Sequence, residues 1–422
     1  MEVRLAYGRH GLSVEVPESA DIIAPRLIQG LPDERLALAA ALRHPLGARP
    51  LRELVHPGDT VVVVHTDITR ATPNARILPV LLEELEQAGV RRGDTTLLNG
   101  LGTHRPQTEA ELRQLLGAKI VEGYRCEQHD CFDEANLVSL GETAWGHRLR
   151  LNRTYMEAQV KILTGFIEPH FFAGFSGGPK AILPSLAGAE SVFTNHGYPM
   201  IAHPRATWGI TAGNPIWEEM RDAALKTHPD FLVNVTLNAR HELTGVFAGD
   251  LLAAHRAGCE FVRETAMVPV GRAYDVVLTT NSGYPLDQNL YQSVKGMSAA
   301  ARVVRLGGAI LMAAACEDGL PNFGRYAELL ASAGSPARAL AMIAEPGFQA
   351  HDQWQVQVQA QIQLHADVHV FSEGLSDHQI RSALFHPSRD LEKTLRSLLA
   401  EKGPRLCVLP EGPQTIPYLP AD

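Results

Sequence analysis

Six segments of the chain begin with a strand-length run of apolar residues and continue into a polar or glycine-rich turn and a helical pattern. They are "TVVVVHTDITR" (60–70), "TTLLNGLGTH" (95–104), "AQVKILTGFIEPH" (158–170), "YDVVLTTNSGYP" (274–285), "GGAILMAAACEDG" (307–319) and "DVHVFSEGL" (367–375). Continuous apolar runs are typical of strands buried on both faces, and alternation with helices implies right-handed crossovers. The sequence therefore predicts an α/β fold of mainly parallel sheets in Rossmann-like, doubly wound units.

The helices between the runs carry start and stop signals. Thr108 and Glu111 are spaced as a capping box, and Gly117 ends that helix. The segment "TPNARILPVLLEELEQAG" (72–89) places one apolar face before Gly89: Ile77, Leu78, Leu81, Leu82 and Leu85. The segment "WQVQVQAQIQL" (354–364) alternates as a strand does, but a crossover before residue 367 requires a helix, and we predict a helix.

The length of 422 residues suggests two domains. We place their limits at 1–270 and 271–408, because "AMVPVGRA" (266–273) separates the early strands from a later set. The proline-rich tail 409–422 is expected to pack back on the N-terminal domain.

Composition excludes several classes of protein. A net charge of −9 disfavours a nucleic-acid surface, which needs clustered Lys and Arg. No targeting segment and no apolar run of membrane-spanning length is seen, so we predict a cytoplasmic protein without a membrane partner. The five cysteines are widely spaced without a C-x-x-C motif, which indicates small buried residues rather than disulfides or a zinc ribbon.

Ionisable residues follow four of the apolar runs, where ligands bind in open α/β sheets. Asp67 and Arg70 follow the first run, His104 the second and His170 the third, and the loop after residue 280 leads to Lys295. Taken alone, Asp67 could equally well cap the next helix, and a single histidine at a strand end is more often structural than catalytic. Together, two histidines can serve as acid and base, and Arg70 can pair with a carboxylate or phosphate.

The stretch "FIEPHFFAGFSGGPKAILPSLAG" (166–188) is too rich in glycine for a regular strand or helix. Four of its residues are expected to form an N–H-lined concavity that binds phosphate: Gly174, Ser176, Gly177 and Gly178. Lys180 stands at the mouth of this concavity. The spacing is not that of a Walker A loop, and Lys180 could be a phosphate counter-charge, a Schiff-base former or another covalent anchor.

Further polar residues lie downstream. "TNHGYPMIAHP" contains His196, and helical spacing puts Tyr291 and Gln292 on one face with Lys295. Five other histidines are interpreted as structural: His65, His147, His203, His241 and His255.

Together these motifs resemble the nickel-dependent lactate racemase family, the Lar-type 2-hydroxy-acid racemases and epimerases. The resemblance covers nearly the whole chain, through "DITR", "GLGTH", "EPHFFAGFSGGPKAILPSLAG", "TNHG", "NLYQSVKGM" and "HDQW" in this order. One such motif would be weak evidence, but six in order are highly specific.

The resemblance implies a nickel-pincer nucleotide, a pyridinium mononucleotide whose thioamide and thiocarboxylate sulfurs hold nickel and which maturation proteins build. Lys180 stands at the position of the covalent anchor and His196 at that of the protein nickel ligand. Other positions that match the cofactor site are Asp67, Thr69, Ser176, Gly177 and Gly178. Pro179 stands where many members carry a basic residue, and because it restricts the backbone, both covalent and noncovalent retention remain open.

The resemblance also implies roles at the substrate. His104 and His170 match the alternating acid/base pair, and Arg70 and Lys295 match the groups that bind the carboxylate. Three residues match the substrate pocket: Tyr291, Gln292 and Trp354. The expected site is a cleft between an N-terminal domain with the cofactor and a C-terminal domain with substrate-binding residues.

The implied reaction is racemisation of a short-chain 2-hydroxy acid, such as lactate, by reversible hydride transfer. Alternatives are a racemase or epimerase of a larger acid of the malate or aldonate type, and a carrier of the nickel cofactor. Two rival enzymes are a Schiff-base enzyme with a pyridoxal-type cofactor on Lys180 and a zinc hydrolase built on His104, His170 and His196.

Overall fold

The computed structural model describes residues 1–321 and 324–420. The chain divides into two compact units. The N-terminal unit comprises Leu27–His196 and Pro204–Arg263, and the C-terminal unit comprises Met1–Arg26, Gly197–His203 and the residues from Glu264 onward.

The described strands, in chain order, are β1 (Glu2–Leu5), β2 (Leu12–Glu15), β3 (Asp21–Ile22), β4 (Val61–Thr66), β5 (Thr95–Gly100), β6 (Arg125–Gln128), β7 (Leu137–Glu142), β8 (Arg148–Asn152), β9 (Val160–Phe166), β10 (Pro169–His170), β11 (Gly174–Phe175), β12 (Phe231–Leu237), β13 (Leu243–Gly249), β14 (Met267–Pro269), β15 (Tyr274–Thr280), β16 (Val304–Ala313), β17 (Asp367–Phe371), β18 (His386–Ser388), β19 (Leu406–Leu409) and β20 (Ile416–Tyr418).

The described helices are α1 (Glu34–Arg43), α2 (Leu51–Leu54), α3 (Asn74–Gln87), α4 (Glu109–Leu116), α5 (Ala118–Gly123), α6 (Arg153–Glu157), α7 (Ala189–Asn195), α8 (Tyr198–Ile201), α9 (Pro215–Leu225), α10 (Leu251–Ala266), α11 (Leu290–Ala301), α12 (Tyr326–Ala333), α13 (Pro336–Ile343), α14 (Gln353–His365), α15 (Asp377–Ser382) and α16 (Leu391–Lys402).

The N-terminal unit is built on a six-stranded sheet in the order β13-β12-β9-β4-β5-β6. All neighbours are parallel except β12 and β13. Val61 to Val64 of β4 are fully buried, as expected of a central strand with both faces covered. The predicted α/β class with mainly parallel sheets is confirmed, and the chain reverses its direction of winding between β4 and β9.

Two helices of this unit agree with their sequence signals. Thr108 and Glu111 form the complete capping box of α4, which ends at Gly117. The predicted apolar face of α3 is buried in the core of the unit. It consists of Ile77, Leu78, Leu81, Leu82 and Leu85.

A buried carboxylate ties α1, α2 and α3 together. Glu84 of α3 is 2% exposed and accepts hydrogen bonds from Arg43 at 2.7 Å and from Arg52 at 2.8 Å. The charge is tolerated in the core because two guanidinium groups satisfy both of its oxygens.

The C-terminal unit is built on a second six-stranded sheet, in the order β18-β17-β16-β15-β19-β3, and all its neighbours are parallel. Its helix α14 confirms the predicted helix in 354–364. The sequence alternates between glutamine and apolar residues, which is typical of a strand with one exposed face. In α14, however, glutamines are buried as well as the apolar residues. Gln355 and Gln359 donate hydrogen bonds to the carbonyls of Tyr291 and Ala383, which satisfies their side chains inside the protein.

The amino-terminal residues belong to the C-terminal unit, whereas the sequence assigned them to the N-terminal domain. The physical reason is that β3 extends the second sheet by pairing in parallel with β19. The tail was expected to pack on the N-terminal domain, but it belongs to the C-terminal unit, where β20 pairs in parallel with β14. Strand pairing between distant segments leaves no local sequence signal.

None of the helices in the described residues is long and apolar enough to cross a bilayer. Four of the five cysteines are buried and Cys126 is half-buried, and all five are free thiols.

We expect Glu84→Gln to lower the free energy of unfolding by about 1–3 kcal/mol, because an amide nitrogen would face an arginine in place of an oxygen. Urea denaturation of the purified protein measures this difference. An unchanged midpoint would mean that solvent screens these pairs, since both arginines are partly exposed.

Candidate functional site

Three neighbouring strands of the N-terminal unit end in the predicted site residues. Asp67 follows β4, His104 follows β5, and His170 follows β9, in a sheet where these strands are adjacent. Because β4 and β9 flank the point where the winding reverses, the residues after them lie at the edge where open α/β sheets bind ligands.

Asp67 holds His104. The carboxylate of Asp67 is 2% exposed, and its Oδ2 lies 2.5 Å from Nδ1 of His104. Its Oδ1 accepts hydrogen bonds from the backbone N–H of Thr69 at 2.8 Å and from the Thr69 hydroxyl at 2.5 Å. Burial alone would raise the pKa of Asp67, but the hydrogen bond and charge of His104, with Arg70 and Thr69, hold it well below its usual range.

The contact with Asp67 fixes the tautomer of His104. A carboxylate can only accept, so Nδ1 of His104 carries a proton, and Nε2 of the neutral ring keeps its lone pair. The side chain of His104 is 40% exposed. Its arrangement is that of a base oriented by a buried carboxylate.

His170 is held in the opposite way. The backbone N–H of Ala173 donates to Nδ1 of His170 at 3.2 Å, so the neutral ring carries its proton on Nε2. The imidazole is 8% exposed and packs edge-on against Phe172, with ring centroids 4.6 Å apart. In their neutral forms the two histidines therefore differ at Nε2, which has a lone pair in His104 and a proton in His170.

The glycine-rich turn differs from the predicted N–H-lined concavity. The N–H of Ser176 donates to the carbonyl of Glu168 at 2.9 Å, and the N–H of Gly178 donates to Oδ1 of Asn234 at 2.8 Å. The hydroxyl of Ser176 donates to the Phe166 carbonyl at 3.0 Å. These groups are therefore used to fold the turn.

Close packing accounts for the glycines of the turn. Gly177 has a φ of +75°, and a Cβ atom there would lie 2.6 Å from Oδ1 of Asn234. Gly178 has a φ of +51°, and a Cβ atom there would lie 2.5 Å from the ring of His255. His255 donates from Nε2 to the carbonyl of Ser176 at 3.0 Å, and burial lowers its pKa to about 4.

Lys180 and His196 lie close enough to interact electrostatically, although the sequence separates them by a loop and a helix. Burial and then the charge of Lys180 hold the pKa of His196 well below its usual value, so this imidazole is neutral. The backbone of Lys180 is fixed by its own N–H, which donates to Gly177 at 3.1 Å, and by the hydroxyl of Ser185, which donates to its carbonyl at 2.8 Å.

Pro179 is compatible with this geometry. It lies at the start of the short 3₁₀ helix Gly178–Ala181. A helix start needs no backbone donor at this position, so the proline leaves the local fold intact.

The C-terminal unit brings together the predicted substrate-pocket residues it contains. Tyr291, Gln292 and Lys295 are half-buried on α11, where the intervening residues are buried. Nε1 of Trp354 donates to the Tyr291 hydroxyl at 3.1 Å.

The rival zinc hydrolase finds no support. Within 1–321 and 324–420, no three His, Cys, Asp or Glu side chains converge in a way that could hold a metal ion. His104, His170 and His196 therefore do not form a zinc site by themselves.

A buried network behind His196 escaped the sequence analysis. Glu219 of α9 is 1% exposed and accepts from Asn195 at 2.8 Å, from Thr143 at 2.7 Å and from His147 at 2.8 Å. Asn195 is the last residue of α7, directly before His196. The hydrogen bond to Glu219, partly offset by burial, raises the pKa of His147.

Two signals could have identified some of these supporting residues. Asn234 interrupts the apolar strand "FLVNVTL", and a buried polar side chain in a strand requires a partner. Asn214 before Pro215 is a strong helix start, and its side chain caps α9, the helix that carries Glu219. The partners themselves are distant in sequence, so no local pattern indicates them.

Comparison with known proteins places these features in a family. Residues 7–209 match the model of the lactate racemase N-terminal domain, and residues 271–416 match that of the lactate racemase C-terminal domain. The chain is 33% identical to a lactate racemase of Thermoanaerobacterium thermosaccharolyticum over 429 residues, which cover 98% of each chain. It is 35% identical to a lactate racemase of Lactiplantibacillus plantarum over 383 residues, which cover 90% of each chain.

Solved structures agree. The lactate racemase apoprotein of T. thermosaccharolyticum superposes with a TM-score of 0.93 at 32% identity, over 99% of this chain and 100% of that one. A protein of Thermotoga maritima superposes with a TM-score of 0.71 at 18% identity, over 94% of this chain and 100% of that one, and shares the fold.

We expect the pair of His147 and Glu219 to make stability depend on pH. Because the pKa of His147 is raised in the folded state, its contribution is complete below the ordinary pKa of about 6.5 and is lost as pH rises through the folded value. Wild type and His147→Gln, compared by urea denaturation, should differ more at about pH 6 than at about pH 9. A difference that is constant with pH would contradict this assignment.

Proposed function

Because the chain belongs to the lactate racemase family, whose members are isomerases, we propose that it racemises a short-chain 2-hydroxy acid such as lactate. The observation that carries the proposal is that the N-terminal unit holds two arrangements of reactive side chains. One is His104 held by the buried Asp67, and the other is Lys180 beside the neutral His196.

The residues present fit a nickel-pincer nucleotide. His196 is neutral, as a metal ligand must be, and Lys180 is near it on a backbone that is fixed on both sides. We propose that Lys180 holds the nucleotide and that His196 binds its nickel. A covalent and a noncovalent Lys180 complex differ in the mass of the intact chain.

Among the residues that the structure describes, no three His, Cys, Asp or Glu side chains are grouped so that they could hold a metal ion, which agrees with a cofactor that brings most of its donors. Bound at Lys180, the nucleotide supplies a hydride acceptor and donor, which no side chain can provide. Other residues contribute indirectly. Thr69 holds Asp67. The turn that presents Lys180 is shaped by Ser176, Gly177 and Gly178.

His104 is the base of the reaction in this proposal. The lone pair of its Nε2 takes the proton of the substrate hydroxyl, and Asp67 stabilises the imidazolium that results. Because the pKa of Asp67 is far below neutrality, the carboxylate stays ionised throughout.

His170 presents Nε2–H and would donate a hydrogen bond to the substrate oxygen on the other face. To give a proton to the substrate oxygen His170 must be an imidazolium, and to take one it must have the lone pair on Nε2 and the proton on Nδ1. Both forms carry a proton on Nδ1, so the ring must first release the N–H of Ala173, which occupies that atom. The turn 170–173 would therefore change whenever His170 exchanges a proton with the substrate.

The remaining roles concern binding. Arg70 and Lys295 would pair with the substrate carboxylate and keep the reacting molecule in place. Gln292 would line the pocket, and the hydrogen-bonded pair of Tyr291 and Trp354 would limit its size. The proposal includes a cytoplasmic location and maturation proteins that deliver the cofactor.

The proposal is tested by chiral and isotopic analysis of the product. The protein, produced with the cofactor-maturation proteins, is incubated in D2O with D-lactate, D-malate or a D-aldonate. We expect L-lactate without deuterium on carbon 2, because the hydrogen returns as hydride.

Each other outcome is informative. Deuterium on carbon 2 would mean proton abstraction and would overturn the mechanism. Turnover of malate or an aldonate alone would identify the larger-substrate alternative. Bound nickel without turnover of any acid would indicate a carrier.

We expect His104→Gln to reduce kcat about 10²–10⁴-fold, the range for loss of a general base. Asp67→Asn should act in the same direction, because the amide oxygen would stay with Thr69 and the amide nitrogen would donate to Nδ1 of His104, which selects the wrong tautomer. Both variants should retain nickel, measured per chain in the purified proteins. Loss of nickel from His104→Gln would show that this histidine holds the cofactor instead.

A further inference from the structure

Helix α9 is connected to both sides of the proposed metal site. Its N-cap residue Asn214 is fully buried, and its Oδ1 accepts from the backbone N–H groups of Ile216 and Trp217 at 3.1 and 3.4 Å. The same side chain donates from Nδ2 to the carbonyl of Phe172 at 2.8 Å. One residue therefore starts the helix and fixes the chain two residues after His170.

The next turn of α9 fixes the chain beside His196. Glu219 accepts from Nδ2 of Asn195 at 2.8 Å, and Asn195 also donates to the Ile216 carbonyl at 3.3 Å. Asn195 is fully buried at the end of α7, where His196 is the C-cap residue. The backbone of the proposed nickel ligand is thereby attached to α9.

Phe172 lies between the two histidines. Its ring meets His170 edge-on with centroids 4.6 Å apart, and it meets His196 edge-on with centroids 5.0 Å apart. The position of this ring therefore depends on Asn214, and the position of His196 depends on Glu219.

Stability alone is a poor explanation for Glu219. Burying a carboxylate costs several kcal/mol of solvation, and well-packed apolar residues often stabilise a core as well as a buried ionic network does. What a carboxylate adds is direction, because three donors at 2.7 to 2.8 Å fix where its neighbours lie.

We propose that α9 sets the position of His196 relative to His170, with Glu219 and Asn214 as positioning residues. This inference rests on the proposed function, because it concerns the nickel ligand. Neither residue needs to contact the substrate or the cofactor.

The test uses holoenzyme produced with the maturation proteins and follows nickel release during dialysis against a chelator. In Glu219→Gln, an amide nitrogen replaces one carboxylate oxygen and faces a hydrogen-bond donor. Nickel should therefore be released about 10–100-fold faster than from the wild type, which is the effect of losing a group that orients a metal ligand. Glu84→Gln is the matched control, since Glu84 is a buried, hydrogen-bonded carboxylate of the same unit on α3. It should destabilise the protein yet release nickel at the wild-type rate.

Asn214→Asp separates the helix cap from the hydrogen bonds that the amide nitrogen donates. Aspartate still accepts from the N–H groups of Ile216 and Trp217, but it cannot donate to the carbonyls of Phe172 and Ile210. We expect kcat for the 2-hydroxy acid to fall about tenfold with KM unchanged, since α9 would act on the reacting groups and not on substrate binding. The control is Asn152→Asp, because Asn152 is likewise a buried helix cap, of α6, and its amide nitrogen donates to His129 and not to Phe172.

The outcomes separate this inference from the proposed function. If wild type binds no nickel, or His196→Ala retains it fully, the proposed metal site is wrong. If His196→Ala loses nickel but Glu219→Gln and Asn214→Asp behave as their controls, α9 is not the positioning element. Should Glu219→Gln fail to fold, the kcat and KM of Asn214→Asp decide alone, since that variant keeps the helix cap.

Discussion

The close approach of a glycine-rich turn to the central sheet is the constraint on which the proposed site depends. Gly165 of β9 pairs with Asn234 of β12, and without a side chain it leaves room for the Asn234 amide, which a Cβ atom there would approach to 3.3 Å. A Cβ atom on Gly177 would displace the Asn234 amide that accepts from Gly178. The direction in which the chain leaves β9, and so the positions of His170 and Lys180, follows from this packing.

The sequence predicted those features that are encoded locally. The six apolar runs became parallel strands, the capping box of α4 formed, and α14 is a helix despite its alternating pattern. The placement of Asp67, His104 and His170 at one sheet edge could also be predicted, because the carboxyl ends of neighbouring parallel strands must face the same way.

What the sequence could not predict depends on partners far away along the chain. The glycines of the turn suggested a phosphate-binding concavity, yet the N–H of Gly178 donates to Asn234, 56 residues away. Likewise, His255 was interpreted as structural, and it does support the fold, but at Ser176 and Gly178, directly under the proposed anchor. Composition identifies such residues as buried and polar without indicating what they hold.

Two carboxylates of the N-terminal unit accept hydrogen bonds from Nδ1 of a histidine. One of the two pairs can take part in proton transfer, and the other supports the structure. Asp67 and His104 stand at the end of β4 and β5, where the sheet edge leaves the His104 side chain 40% exposed and Nε2 can meet a substrate. Glu219 holds His147 in the same way, but the second oxygen of Glu219 holds Asn195, next to the proposed nickel ligand, where that of Asp67 holds Thr69. Hydrogen bonding to a carboxylate thus orients an imidazole in both places, and the location of the pair in the fold decides whether that orientation serves proton transfer or the geometry of a neighbouring ligand.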